Sequence, residues 1–408
     1  MSLETITRGA LITRVAAALV LALPAVVVRV AGVHPPPVPT MIVSGAGVLA
    51  AAVILMWAAE TARVDMSGAL ALAVLALIAV LPEYAVDLYY AYRAGSKPEY
   101  TAYAAANMTG ANRLLIGIGW PLVVLAFALG ARRAARRSGV PLRRRDVRLS
   151  RHHRIELGYL ALAAVIAFLP ALLKEIGWYV SILLIGLYVA YIVRISRISG
   201  EDVEELTGVP ARLAALPRRA RRIATWTGFA LGAVIVFASA EPFAESLVAA
   251  GAELGIDEFL LVQWLAPLAS EAPELIVAGL FAWRLRDNDA IGALLSSKIN
   301  QWTLLIGSLP LAYRLGGGGW SLPLDSRQTE EVLLTAAQTV LGLALLIDLR
   351  IRRSEAALLF LLFALQFALP DEHARLLLSW VYLTIGFSVL ILRNRDLGRA
   401  MRATVSGP

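Results

Sequence analysis

Residues 259–283 read "FLLVQWLAPLASEAPELIVAGLFAW" and place two acids and a proline inside an apolar stretch of membrane-spanning length. About 20 apolar residues cross a bilayer as one helix. A carboxylate within such a helix is expensive unless it is paired or hydrated, and a proline frees a backbone carbonyl one turn earlier. Glu271, Pro273 and Glu274 therefore predict a polar functional site inside a transmembrane helix.

The rest of the chain is also strongly apolar. It has 408 residues, of which 59% are hydrophobic, and a mean hydropathy of +0.70, whereas soluble domains are about 45–50% apolar. This composition predicts an all-α polytopic membrane protein. The apolar stretches give about twelve candidate transmembrane helices, at 10–31, 38–60, 67–93, 99–130, 155–172, 176–197, 223–250, 258–285, 289–314, 330–350, 355–369 and 374–393.

The net charge of +8 comes from arginines in short loops, such as "ARRAARRSGVPLRRRDVRLSRHHR" and "LPRRARR". Arginine-rich loops mark the cytoplasmic side of a membrane, next to anionic lipid. We therefore expect a multi-pass protein of the cell membrane (inner or plasma), with both termini in the cytoplasm. The expected partners are the lipid bilayer and inorganic cations, not nucleic acid, and the sequence leaves the oligomeric state open.

Enzyme chemistry has little support in the sequence. The absence of cysteine excludes thiolate metal sites and thiol catalysis. The chain has no HExxH or GxSxG motif of a metalloprotease or serine hydrolase. We therefore expect neither an enzyme nor a cofactor, apart from transported Na⁺, Ca²⁺ or H⁺.

Three polar features recur in the same order in the two halves of the chain. "AVILMWAAE" (52–60) corresponds to "AVIVFASAE" (233–241), and "VLPEYAVDL" (80–88) corresponds to "EAPELIVAG" (271–279). A helix broken by polar residues follows in each half, "AANMTGANRLLIG" and "ALLSSKINQWTLLIG". By the helix count, the first Pro-Glu helix runs outward and the second runs inward. This pattern predicts two inverted-topology repeats, which are typical of secondary transporters.

The polar residues of these helices supply hard oxygen ligands. Glu83 and Asp87 share one helix face because they are four residues apart, and Glu271 and Glu274 share another because they are three apart. Carboxylates and amide or hydroxyl oxygens are the ligands that Na⁺ and Ca²⁺ prefer. Neutral oxygens come from Asn107, Thr109 and Asn112 in the first repeat and from Ser296, Ser297, Asn300 and Gln301 in the second. The alternative is that the neutral side chains only join helices to one another.

At these motifs the sequence resembles the calcium/cation antiporter superfamily, which contains the sodium/calcium exchangers. "ASEAPEL" is similar to the family's Gly-Thr-Ser-x-Pro-Glu motif, and "NMTGAN" to the asparagine-rich motif of the next helix. The resemblance covers about 38–130 and 223–314. It implies a ten-helix exchanger core with one extra helix at each end, and it places Glu83 and Glu274 at the two central ion-binding glutamates, which would bind Na⁺ or Ca²⁺.

The same resemblance implies ion-binding roles for Asn107, Asn112 and Asn300, and for the polar positions Ser270 and Ser297. Several positions depart from the family pattern: no Thr or Ser precedes Pro82, and Leu115 and Thr303 stand where the family often has Asn or Asp. In the second repeat, Glu271 stands where a serine is expected, and "SSKIN" places Lys298 inside the membrane. We interpret Lys298 as a built-in competing cation that releases a carboxylate to the ion when it loses its proton. That interpretation favours cation/proton exchange over Na⁺/Ca²⁺ exchange.

Two further possibilities concern the basic residues. Lys298 lies about nine residues into its helix, so its side chain could instead reach the cytoplasmic surface. Arg113 lies in the corresponding helix of the first repeat, and if it joined Lys298 and the four acids the cluster would have a net charge of about −2 by formal counting.

The predicted organisation has five parts: an extra helix (1–37), a first repeat (38–197), a basic cytoplasmic linker (198–222), a second repeat (223–370) and an extra helix with a tail (371–408). The predicted function is secondary cation antiport by alternating access at a carboxylate site between the repeats, exchanging Ca²⁺ or Na⁺ for Na⁺ or H⁺. The alternative is a non-transporting membrane sensor or scaffold, locked by pairing of Lys298 with a carboxylate.

Overall fold

The computed structural model describes residues 6–65, 80–138, 146–197, 206–369 and 372–406. The chain divides into two compact units, each made of two chain segments. The first unit is Met1–Tyr90 with Ile192–Pro273, and the second is Ala91–Tyr191 with Glu274–Pro408. Each unit therefore takes segments from both predicted repeats, and the repeat boundaries remain a prediction from the sequence.

Helices make up nearly all of the described residues. In chain order they are α1 (Arg8–Ala31), α2 (Pro37–Ala62), α3 (Leu81–Ala94), α4 (Tyr100–Leu114), α5 (Trp120–Ser138), α6 (Arg154–Ile166), α7 (Phe168–Leu173), α8 (Trp178–Ser196), α9 (Gly208–Ala214), α10 (Arg218–Leu254), α11 (Glu258–Trp283), α12 (Asp287–Asn300), α13 (Ile306–Leu315), α14 (Ser326–Leu346), α15 (Arg353–Leu365), α16 (Glu372–Leu392) and α17 (Asn394–Ser406). Short strands β1 (Val147–Arg148), β2 (Glu175–Gly177), β3 (Ser321–Pro323) and β4 (Arg350–Ile351) form two antiparallel pairs, β1 with β4 and β2 with β3.

The first unit is built around α2 and α10, which contact each other along much of their length. A small residue permits this approach, because a Cβ atom at Gly47 would lie only 2.3 Å from the Ser239 hydroxyl oxygen. Just beyond α2, Asp65 accepts two hydrogen bonds from the Arg221 guanidinium of α10, at 2.8 Å and 2.6 Å. These hydrogen bonds lower the pKa of Asp65, so the carboxylate that joins the two helices stays charged.

The second unit has α14 as its central helix, with most of its side chains buried. A capping box fixes its start, because the Asp325 carboxylate accepts from the Gln328 backbone while the Gln328 side chain accepts from the Asp325 backbone. α16 packs along α14, and α4 and α6 also contact it. A polar residue on α14 therefore faces protein rather than lipid.

Nine helices among the described residues are long and apolar enough to cross a membrane. They confirm the multi-pass, all-α fold class. The segments predicted at 289–314 and 355–369 are helical in the structure, but they are not among these nine candidate membrane spans. The prediction of a helix at 67–93 is covered only from residue 80 onward, because residues 66–79 lie outside the described part. The tail predicted after the last span forms α17, whose Ala400 and Ala403 are buried.

The Pro-Glu pair predicts a break of the helix at Pro273, and this prediction is wrong, because α11 continues without interruption from Glu258 to Trp283. The Ser270 hydroxyl donates to the carbonyls of Ala266 and Pro267, each at 3.3 Å. Membrane helices keep prolines without ending where neighbouring groups compensate for the missing backbone donor. The polar helix of each predicted repeat is irregular at one point. A π-helix (Leu115–Gly119) joins α4 to α5, and another (Gln301–Leu305) joins α12 to α13. π-helices are often found at functional sites.

Candidate functional site

Two of the predicted site acids lie on α3, in the first unit. Glu83 and Asp87 are 4% and 0% exposed, and their spacing of four residues directs them to one face. The following turn is fixed to α10, because the Tyr89 hydroxyl donates to Glu245 at 2.6 Å and the Tyr90 hydroxyl donates to the Ala244 carbonyl at 2.9 Å. These contacts set the rotation of α3 and therefore the direction of its two carboxylates.

The next predicted residues lie on α11. Ser270 and Glu271, in the first unit, are both buried, and Glu274, at the start of the second unit's share of the helix, is half-buried. Ser270 has its proton engaged by the backbone, as described above, so only its oxygen lone pairs are available to an ion. α11 thus supplies two carboxylates and one hydroxyl oxygen within two helical turns.

The polar residues of α4 are all fully buried in the second unit. Asn107, Thr109 and Asn112 are no more than 1% exposed. The Thr109 hydroxyl donates to the carbonyls of Ala105 and Ala106, at 2.8 and 3.1 Å. The Asn112 side-chain amide donates to the Met108 carbonyl at 2.9 Å, which turns its Oδ1 atom away from its own helix.

That Oδ1 atom accepts a hydrogen bond from Lys298, and this contact joins the polar helices of the two predicted repeats. The Lys298 ammonium lies 2.8 Å from Asn112 Oδ1 and 3.3 Å from the Asn112 backbone carbonyl. It also lies 4.3 Å from the ring centroid of Trp302, within the range of a cation–π interaction. Lys298 is 0% exposed, so the possibility that it reaches the cytoplasmic surface is wrong: its stem is enclosed and an amide binds its charge.

The two remaining predicted residues flank Lys298 on α12. Asn300 is buried, and the Ser297 hydroxyl accepts a weak hydrogen bond from the Gln301 amide at 3.5 Å. The π-helix begins directly after Asn300, at Gln301. In the first repeat the π-helix begins three residues after Asn112, at Leu115. Both asparagines therefore stand next to a turn whose regular hydrogen-bond ladder is interrupted.

Arg113 is not an uncompensated charge, because it pairs with an acid outside the six groups counted from the sequence. Its Nη2 atom lies 2.6 Å from Oε2 of Glu331 on α14, and its Nη1 atom donates to Gln366 Oε1 at 2.9 Å. Arg113 and Glu331 are each 2% exposed. The formal count of about −2 left out Glu331, the acid that compensates Arg113.

Glu331 is the residue that the sequence reasoning missed. A second arginine, Arg375 of α16, has its Nε atom 3.8 Å from Glu331 and 3.9 Å from Glu330. The sequence does contain a signal, since Glu331, Thr335, Gln338 and Thr339 recur at a helical spacing on one face of a candidate span. A polar stripe of this kind inside a span predicts a polar contact with another helix.

The side chains together offer hard oxygen donors of the kind that bind Na⁺ and Ca²⁺: carboxylates, amides and hydroxyls. In the described ranges, no three His, Asp or Glu side chains gather closely enough to hold a metal ion. Within the second unit, the fully buried Lys298 ammonium donates to the Asn112 amide oxygen. A buried, titratable cation beside candidate ligands is chemically able to compete with an inorganic cation.

The helical fold and the buried polar residues within its spans define a multi-pass membrane protein of the ion-exchanger class. The family model described as "Sodium/calcium exchanger protein" matches residues 37–196 and 224–369. The chain therefore belongs to the sodium/calcium exchanger family, within the calcium/cation antiporter superfamily.

Several relatives support this assignment. The crystal structure of the H⁺/Ca²⁺ exchanger CAX is similar over 97% of both chains, with 40% identity and a TM-score of 0.88. The putative antiporter CaxA of Alkalimonas amylolytica is 27% identical over 147 residues, which are 35% of this chain and 44% of CaxA, so the match spans less than half of that protein. YfkE shares the fold at 16% identity, with a TM-score of 0.60 over 90% of this chain and 99% of YfkE.

Proposed function

We propose that this protein is a secondary cation antiporter that exchanges Ca²⁺ or Na⁺ for H⁺ or Na⁺, with cation/proton exchange favoured over Na⁺/Ca²⁺ exchange. The observation that carries the proposal is the 40% identity with the H⁺/Ca²⁺ exchanger CAX, which extends over 97% of both chains. A transporter of this kind performs no covalent chemistry and needs no cofactor apart from its ions. Both termini are in the cytoplasm, as the arginine-rich loops predict.

In this proposal, Glu83 and Glu274 supply the carboxylates that bind the cation, and Asp87 and Glu271 add negative charge. Asn107, Thr109, Asn112, Ser270, Ser297 and Asn300 supply neutral oxygens. The burial of Glu83, Asp87 and Glu271 supports these roles, because ionisable side chains inside membrane spans are rare and mark ion pathways. The repeats alternate access to the ion from the two sides of the membrane.

Lys298 is the residue through which protons are coupled in this proposal. While its ammonium is charged, it holds Asn112 Oδ1 at 2.8 Å and keeps that oxygen from an ion. Loss of its proton removes the charge and frees the amide oxygen. A rise in pH therefore favours cation binding for two reasons, since the carboxylates lose protons as well. The hydrogen bonds to Asn112 give no support to a locked, non-transporting site.

The experiment that tests the exchange uses sealed proteoliposomes with a pH-sensitive dye inside. A pulse of external Ca²⁺ should raise the internal pH, because each entering cation drives protons outward. A pulse of Na⁺, tested separately, shows whether Na⁺ replaces Ca²⁺ as the exchanged ion. An unchanged internal pH after every cation pulse, with intact vesicles and folded protein, would contradict proton exchange and favour a sensor or scaffold.

We predict that Lys298→Met lowers the number of protons moved per cation and flattens the dependence of exchange on pH. Methionine keeps much of the side-chain volume but cannot carry the proton or bind Asn112 Oδ1. The dye assay, run together with radiolabelled Ca²⁺ uptake, gives the ratio of protons to cations. The matched control is Lys174→Met, at an exposed lysine outside the candidate site. An unchanged ratio and pH profile in Lys298→Met would disprove the role of Lys298.

A further inference from the structure

A cavity of about 460 Å³ lies at the arginine-rich end of α5. It is lined by Leu129, Arg132, Arg133, Arg136, Arg137 and Trp283. All six residues belong to the second unit. The cavity combines an apolar wall with a strongly basic wall, and the proposed antiport does not use it.

The four arginines form one basic face on α5. They occupy positions i, i+1, i+4 and i+5, so they project to the same side of the helix. All four are exposed, and within the part of the chain that the structure describes none has an ion-pair partner. The Arg133 guanidinium lies 5.6 Å from the Trp283 ring centroid, so one charge is already oriented over the apolar wall. Counting only the described residues, this face therefore holds four positive charges without an ion-pair partner.

The geometry of the cavity is fixed by the backbone. A Cβ atom at Gly130 would lie 2.1 Å from the Trp283 carbonyl oxygen, so α5 and the end of α11 are in direct backbone contact there. In the turn after α11, Leu285 has a left-handed conformation (φ 65°), and the Arg286 backbone N–H donates to the Phe281 carbonyl at 2.9 Å. This is the hydrogen-bond pattern of a stable helix C-terminus. These backbone contacts hold the two walls of the cavity together.

We propose that this cavity binds one anionic phospholipid. The arginines bind the phosphate of the headgroup, and the first part of an acyl chain packs against Leu129 and Trp283, which are 40% and 36% exposed. The charge is complementary, because arginine pairs with phosphate through directed hydrogen bonds, and basic pockets between transmembrane helices bind anionic headgroups. A free phosphate ion would use the basic wall but leave the apolar wall uncovered.

The arginine positions make the lipid preference measurable. Each arginine near a membrane surface strengthens binding of an anionic lipid by about fivefold. The double variant Arg133→Gln/Arg137→Gln should therefore weaken the preference for phosphatidylglycerol over phosphatidylcholine by roughly 25-fold. High salt should weaken the preference of the parent protein in the same direction, because ions screen exposed charges.

The test uses the absence of cysteine in the chain. Leu125→Cys, one turn before Leu129 and 58% exposed in the parent protein, receives a fluorophore in the otherwise complete protein. The labelled protein is placed in phosphatidylcholine vesicles that contain either brominated phosphatidylglycerol or brominated phosphatidylcholine at the same mole fraction. Brominated phosphatidylglycerol should quench the fluorophore at a much lower mole fraction. The matched control is Arg218→Gln/Arg219→Gln, which removes two exposed arginines outside the cavity and should keep this preference.

Three outcomes would overturn the proposal. Equal quenching by the two brominated lipids in the parent protein would exclude a specific anionic lipid. A preference that survives Arg133→Gln/Arg137→Gln, or that falls equally in the control, would show that the cavity is not the cause. Displacement of phosphatidylglycerol by excess inorganic phosphate would identify a phosphate site rather than a lipid site.

Discussion

Glu274→Gln should abolish cation exchange, lowering the initial rate of Ca²⁺ uptake by at least about a hundredfold. Glutamine keeps the shape and one oxygen of the side chain but removes the negative charge. A divalent ion in a poorly hydrated site loses a large electrostatic attraction when that charge is lost. Changes to residues that only support a metal ligand already cost about 10–100-fold, so loss of a ligand charge should cost at least as much.

Glu83→Gln should have the same effect, because the sequence pattern gives it the equivalent role in the first repeat. The matched control is Glu253→Gln, at an exposed acid near the end of α10, which should exchange ions at the parent rate. Each variant is first checked for a single elution peak and a cooperative thermal transition. Full exchange in both Glu83→Gln and Glu274→Gln would show that the assignment of these carboxylates is wrong.

Arg113→Met should destabilise the protein by about 3–5 kcal/mol, because it leaves the Glu331 carboxylate buried without its closest partner. The pair is 2.6 Å apart and both side chains are 2–3% exposed. The measurement is thermal unfolding in detergent. The exposed pair of Arg399 and Asp396 serves as the control: it is 52% and 26% exposed, so Arg399→Ala should shift stability by no more than about 1 kcal/mol.

The double variant Arg113→Met/Glu331→Leu separates the loss of a partner from a general packing defect. It removes both charges, and Arg375 keeps its contact with Glu330 at 3.9 Å. Replacing both members of a buried pair with apolar residues is often close to neutral, so most of the lost stability should return. A single variant as stable as the parent, or a double variant no better than the single one, would contradict the importance of this pair.

The sequence predicts the helices well, because these depend on local patterns. It also singles out the acids of the candidate site, whose roles stay a prediction. Pro82–Glu83 and Pro273–Glu274 stand out within apolar runs, and a carboxylate in a span has few explanations other than function. The continuity of α11 was not predictable in this way. Proline favours a break by its own chemistry, and the local hydrogen bonds of Ser270 that accompany the intact helix are visible only in the structure.

The partners of the two buried bases were also beyond the sequence. Lys298 binds Asn112, 186 residues away in the chain, and Arg113 binds Glu331 on a helix outside the resemblance. A charge count can show that compensation is needed, but many acids satisfy the count equally well. The choice of partner depends on which helices pack together, and sequence periodicity gives the buried face of each helix but not its neighbour.

The most direct test of the central claim, proton-driven cation antiport, is Ca²⁺ accumulation in proteoliposomes under an imposed pH gradient, acid inside, without Na⁺. The account predicts that labelled Ca²⁺ rises inside above its external concentration and leaves again when a protonophore, with the membrane potential clamped, collapses the gradient. Accumulation should be absent in protein-free vesicles and in vesicles with Glu274→Gln. Ca²⁺ that only equilibrates across the membrane, whatever the pH gradient, would contradict it.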